Sequence, residues 1–184
     1  MNRRAAAIGA EAWGVAEATV FFIVPDVGLT FLALRDLRGS LRAAAWALAG
    51  ALAGGLLMLL WGARSPEAAA RLLDWVPAIS PALVARVHAQ VDAHGLGAVL
   101  FGPLAGIPYK IYAVDWGARH GPWLPFLLVS LPARAVRFFL TPLVAAGVRR
   151  LLVPLTRGRA AAEAGLLAAF WIGFYAFYFT VFAE

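Results

Sequence analysis

From residue 43 to residue 62 the chain runs for twenty positions without a charged side chain. A helix rises about 1.5 Å per residue, so such a run reaches roughly 30 Å, one hydrocarbon thickness of a bilayer. Lipid offers backbone N–H and C=O groups no partner, so a segment like this must satisfy them internally as a helix. Gly50, Gly54 and Gly55, interleaved with Ala, give it a small-residue surface on which another helix can lie close. The remaining composition agrees: 62% of the 184 residues are hydrophobic and 14% are charged, against roughly 45–50% and 25% in soluble domains. Mean hydropathy is +0.78. A soluble domain of this size has too little interior to hide so much apolar surface, which excludes a soluble globular enzyme.

The net charge of +6 comes from 16 basic residues, of which 15 are Arg and one is Lys110. They stand singly or in pairs between apolar runs. That is the distribution of membrane-flanking charge and not a nucleic-acid footprint, so nucleic acid is not an expected partner. The chain has no Cys, and hence no disulfide framework, thiolate metal site or Cys nucleophile. His88, His94 and His120 lack carboxylates at ligand spacing, which argues against a metal. None of Ser40, Ser65, Ser80 and Ser130 lies in a nucleophile-elbow motif, and no nucleotide-binding glycine loop occurs. No catalytic residue, no cofactor and no enzymatic activity are expected. Glu11 and Glu17 interrupt the apolar start of the chain and argue against a cleaved signal peptide.

A second apolar span covers residues 164–183 and is rich in Phe, Tyr and Trp. A third, residues 123–148, carries Pro125, Pro132, Pro142, Arg134 and Arg137, and is expected to be kinked. Residues 5–34 and 96–118 are apolar but broken, the first at Pro25 and the second at Pro103 and Pro108. Their pieces are short enough to enter and return as re-entrant hairpins, with the breaks facing protein or a cavity. Residues 66–92 alternate apolar and charged positions and read as one or two interfacial amphipathic helices, interrupted between Pro77 and Pro81. The reading is therefore a single all-α integral membrane domain over residues 1–184. Repeat one covers residues 5–62, the interfacial segment 66–92, repeat two 95–148 and a C-terminal transmembrane helix 164–183. Broken hairpin followed by spanning helix, twice, is the pattern of inverted repeats with a site where the breaks meet. Placing the N-terminus, the 35–42 turn and a 149–162 loop inside puts nine Arg there and four outside, as the positive-inside rule favours.

Six charges remain at membrane depth: Glu17, Asp26, Lys110, Asp115, Arg134 and Arg137. Each costs roughly 2.5–3.5 kcal/mol on insertion scales, so each asks for a reason. Arg134 and Arg137, three residues apart, share a helix face and suit a common anion. Tyr109 and Lys110 follow Pro108 at the tip of the second hairpin, where free N–H groups also favour negative charge. Glu17 and Asp26 supply carboxylates from the first hairpin, and Asp115 is a further ion-pair partner.

Glu17 with Val24-Pro25-Asp26-Val27, then Gly106-Ile107-Pro108-Tyr109-Lys110, then Arg134-Ala135-Val136-Arg137-Phe138-Phe139 resembles the DedA superfamily. The closer similarity is to its small bacterial branch of VTT-domain, or SNARE-associated Golgi-type, proteins. The resemblance covers about residues 10–148 in matching order and spacing. Ala135 stands where the family has Gly, and Ile107 lacks the family's preceding Pro. The first long helix has Met58 near the place of a usual Tyr. The resemblance implies facing re-entrant hairpins in inverted repeats. It also implies movement of lipids between leaflets, often linked to the proton gradient, with Glu17, Asp26, Lys110, Arg134 and Arg137 at the family's charged positions.

Residues and resemblance together lead to the expectation of a transporter of an anionic lipid, a phospholipid or a polyprenyl-phosphate. Lys110, Arg134, Arg137 and Tyr109 would bind the headgroup, and Glu17 or Asp26 would take the proton. The expected partners are membrane lipids, that headgroup as substrate and protons as coupling ion, and a homo-oligomer is compatible with the sequence. The Arg- and Ala-rich composition points to a high-GC bacterium and its inner membrane. The alternative is a non-transporting membrane scaffold or assembly factor whose buried ion network is structural.

Overall fold

The computed structural model describes residues 3–77 and 79–182, and every regular element among them is helical. The broken N-terminal segment forms α1 (Arg3–Thr19) and α2 (Asp26–Ala33), separated by irregular residues 20–25. Asp36 then accepts a hydrogen bond from the Gly39 N–H at 2.8 Å and caps α3 (Leu37–Arg64). Such a cap satisfies one of the orphan donors of a helix start. Two short helices, α4 (Pro66–Asp74) and α5 (Pro81–His94), each begin on a proline, whose missing N–H costs nothing there. Helix α4 already stops at Asp74 and α5 starts at Pro81, so the break begins earlier than the expected interruption at Pro77. The second broken segment forms α6 (Gly97–Phe101), a 3₁₀ turn at Pro103–Ala105, and α7 (Tyr109–Ala118). Two long helices close the chain, α8 (Trp123–Thr156) and α9 (Ala160–Phe182).

Helix α3 is the central element, packed by α1, α7 and α8. Its small-residue face is used within the chain. A Cβ on Gly50 would lie 2.0 Å from the Glu11 carbonyl oxygen of α1, and one on Gly117 of α7 would lie 2.0 Å from the Leu59 carbonyl oxygen of α3. These helices touch backbone to backbone, an approach that only Gly permits. Ala44, Ala47 and Ala51 are fully buried in the same seam.

Three helices, Leu37–Arg64, Trp123–Thr156 and Ala160–Thr180, are long and apolar enough to cross a membrane. The first is half buried by the others, whereas the apolar stretches of α8 and α9 are mostly exposed. Leu151, Leu155, Phe170, Ile172 and Phe177 are among the outward-facing side chains. That surface is compatible with a membrane-embedded protein.

Two boundaries differ from the sequence reading. Helix α8 does not stop at residue 148 but continues through Arg149, Arg150 and Pro154 to Thr156. The turn to α9 is only residues 157–159, with Arg157 and Gly158 at positive φ. The arginine pair reads as a boundary in sequence, yet long Arg stems let a helix carry on while the heads reach a polar layer. Helix α9 correspondingly begins at Ala160 rather than 164, and the expected end at residue 183 lies outside the described residues. Pro132, Pro142 and Pro154 all sit within the continuous α8.

Candidate functional site

The two broken segments and α8 converge on one polar cluster in an apolar molecule. Helix α1 contributes Glu17, α2 begins with Asp26, α7 begins with Tyr109 and Lys110, and mid-α8 carries Arg134, Arg137 and Thr141. Glu17, Asp26, Lys110 and Arg134 are each no more than 6% exposed.

The two arginines have different surroundings. Arg134 makes a two-pronged ion pair with Glu17. Its guanidinium lies 4.9 Å from the Tyr109 ring centre and 4.7 Å from that of Phe138, an aromatic sandwich. Tyr109 is fixed in turn by donating to Ser130 Oγ at 2.9 Å and stacking on Phe126. Arg137, with its side chain 22% exposed, pairs with Asp26 Oδ2 at 3.0 Å, and the Thr141 hydroxyl donates to Asp26 Oδ1 at 2.8 Å. Residues three apart on a helix differ by about 60° around its axis. That offset turns Ser130, Arg134 and Phe138 toward the packed interior and Arg137 and Thr141 toward open space.

The open space is a cavity of about 880 Å³ between α8, α9 and the two breaks. Glu17, Asp26, Lys110, Arg137 and Thr141 line it, whereas Arg134 does not. Its walls are otherwise largely aliphatic and aromatic, with Leu140, Val144, Phe174 and Tyr178 among them. Three cations (Lys110, Arg134, Arg137) against two carboxylates (Glu17, Asp26) leave the cluster formally one positive charge in excess.

Irregular backbone in residues 20–25 finds partners in three other elements. Lys110 Nζ donates to the Phe21 carbonyl at 2.8 Å, Trp13 Nε1 to the Ile23 carbonyl at 2.9 Å, and the Val24 N–H to Tyr175 Oη at 2.9 Å. Trp171 Nε1 also donates to Thr30 Oγ1 at 2.9 Å. Helix α9 thus holds the first break through Trp171 and Tyr175, one turn apart. Covered in this way, broken backbone is tolerable away from water.

Asp115 stands apart from this cluster. It sits on the outer end of α7, where Arg119 Nε bonds Oδ2 at 2.8 Å and His88 Nδ1 contacts Oδ1. Arg119 also reaches Asp92 at 2.5 Å. Hydrogen bonds to Asp115 and Asp92 hold the Arg119 guanidinium above its ordinary pKa. This second network ties α5 to α7. Among the described residues no three His, Asp or Glu side chains gather to hold a metal ion.

Of the expected site residues, Glu17, Asp26, Tyr109, Lys110, Arg134 and Arg137 come together, and Asp115 does not. Pro25 and Pro108 immediately precede the helices that deliver Asp26 and Tyr109, and Pro103 opens the 3₁₀ turn at the cavity wall. Thr141, Ser130, Trp171 and Tyr175 were not foreseen. Ser130 and Thr141 carried a signal, since each lies one helical turn from an arginine in an otherwise apolar stretch. Trp171 and Tyr175 carried none, because aromatic residues run along nearly all of α9. No family model matches the chain, and no curated protein or solved structure is significantly similar to it.

Proposed function

We propose that this protein is an integral membrane transporter that moves an anionic, phosphate-headed lipid between leaflets. Helices α1–α2 and α6–α7 act as re-entrant hairpins of two inverted repeats, and α3, α8 and α9 span the bilayer. Positive charge places residues 35–42 and 149–159 on the cytoplasmic side of what we read as a bacterial inner membrane. One observation carries the proposal: an apolar-walled cavity whose polar face holds Arg137, Lys110, Asp26 and Glu17, with Arg134 pairing Glu17 from outside the cavity lining so that the cluster keeps one positive charge in excess.

Such a cavity suits an amphiphile, its headgroup on the cations and its tails along α8 and α9. Arg137 exchanges Asp26 for the incoming phosphate, which accepts paired hydrogen bonds from the guanidinium fork. Asp26, left buried without its arginine, takes a proton, because a lone charge there is costly. Release of the phosphate returns Arg137 to Asp26 and frees the proton, which couples movement to a pH gradient. In liposomes, the purified protein should speed flipping of a labelled phosphatidate well above that of an uncharged diacylglycerol analogue. Equal rates for the two lipids would remove the headgroup from the mechanism.

A second reading, that of a scaffold with a structural ion network, is favoured by the Arg134–Glu17 pair. That pair is buried between rings, and Arg134 has no face on the cavity. We assign it to holding α1, α7 and α8 together, and assign the Arg137–Asp26 pair to transport.

A further inference from the structure

The same three-residue arrangement occurs twice at the cavity, the second time with its threonine, Thr156, outside the lining. At its centre Arg137 pairs with Asp26, whose other oxygen receives the Thr141 hydroxyl. At the end near the α8–α9 turn, Arg149 Nε pairs with Glu163 Oε2 at 2.7 Å, and the Thr156 hydroxyl lies 3.4 Å from Glu163 Oε1. Glu163 is buried, with its side chain 3% exposed, whereas Arg149 is 37% exposed. Among the described residues the Arg149 Nη groups donate no hydrogen bond, so its fork is open. Arg149 and Glu163 line both the main cavity and an adjoining one of about 360 Å³, which Arg35 also lines.

Both arginines line the cavity, although twelve residues of helix turn them about 120° apart around the α8 axis. Thr141, Ala145 and Val148 line the same cavity between them, and that length of helix separates the arginines by roughly 18 Å. Apolar walls connect two cationic points, each held by a buried carboxylate and a threonine.

We propose that Arg149, with Arg35 beside it, is a second anion station that docks the phosphate headgroup of the same amphiphile at the cytoplasmic end of the groove. The inference rests on reading the cavity as a lipid path. Glu163 sets the affinity: it orients Arg149 and partly neutralises it, so the headgroup docks without being trapped. Charge complementarity selects an anionic headgroup, and the apolar groove toward Arg137 selects one attached to a tail.

Titration of the detergent-purified full chain with a soluble short-chain phosphatidate tests this. The wild type should bind two molecules, and R149Q and R137Q one each. Glu163→Gln, which keeps Arg149 and removes its competing carboxylate, should tighten the second site several-fold, an effect no structural role of the pair produces. Two-site binding retained by R149Q, or a second site weakened or unchanged in E163Q, overturns the station. Should R149Q fail to fold, E163Q alone decides. Displacement of the second phosphatidate by inorganic phosphate at matching affinity assigns the site to a free anion and overturns lipid docking. Liposome flux reports separately on transport. Two-site binding without flux removes transport and keeps the station, and flux with one-site binding does the reverse.

Discussion

Arg134 and Arg137 are one residue type on one helix, separated by less than a turn, yet their environments assign them opposite work. Arg134 is closed in by Glu17, Tyr109 and Phe138. Replacing it by Gln leaves Glu17 buried without its cation, a change that costs about 3–5 kcal/mol when one partner of a buried pair is lost. R134Q should therefore lower the melting temperature in detergent sharply, whereas R137Q should lower it less, because Asp26 keeps the Thr141 hydroxyl and lines the cavity. Equal destabilisation by the two would show that both pairs serve packing alone. The spacing of 134 and 137 reads in sequence as one shared face gripping a common anion, and the cost of charge in an apolar run was enough to single them out. Which one met the cavity was not legible. That depends on the rotation of α8 about its axis, set by residues such as Ser130 that bind a tyrosine far away in sequence.

At the scale of elements, the contacts of α3 carry most of the architecture. Gly50 meets the α1 backbone, and Gly117 brings α7 onto the other flank. A valine at Gly50 would press carbon atoms into the Glu11 carbonyl, and backbone cannot move aside as a side-chain tip can. The loss should exceed the about 1–3 kcal/mol of ordinary overpacking. Gly147, where an added Cβ meets nothing within 4 Å, supplies the control. Thermal unfolding should separate G50V from G147A, and similar melting curves for both would contradict the helix contact. The helix breaks at Pro25 and at Pro103 to Pro108 were readable because proline removes a donor and fixes φ. The extension of α8 past Arg149 was not. Paired arginines mark an interface in sequence, but here Glu163, fourteen residues on, holds Arg149 against the helix turn.

For the whole molecule, charge distribution and helix order give one arrangement. In the arrangement we propose, helix α4 and the α8–α9 turn lie on opposite sides of the membrane. The chain has no Cys, so single cysteines report position without background. Exposed Glu67 lies in the first turn of α4, and exposed Ala160 opens α9. In sealed right-side-out vesicles, an impermeant thiol reagent should label E67C and spare A160C until the membrane is opened. Labelling of both from one side would rule out the arrangement. Composition was sufficient to foresee lipid as the solvent, since the apolar fraction exceeds what so small a chain can bury. It could not show that α9 closes the cavity, because the α9 aromatics follow no period and its anchors, Trp171 and Tyr175, bind Thr30 and Val24 over a long sequence separation.

The Arg137–Asp26 pair, set at the apolar cavity, is the part of the molecule on which the proposed transport rests. The most direct test is the flip rate of labelled phosphatidate in liposomes holding equal amounts of folded wild type and R137Q. The expected result is at least a roughly tenfold lower rate for R137Q, the loss of a charge-assisted hydrogen bond of about 1.5–3 kcal/mol. A folded R137Q that flips phosphatidate at the wild-type rate would contradict it.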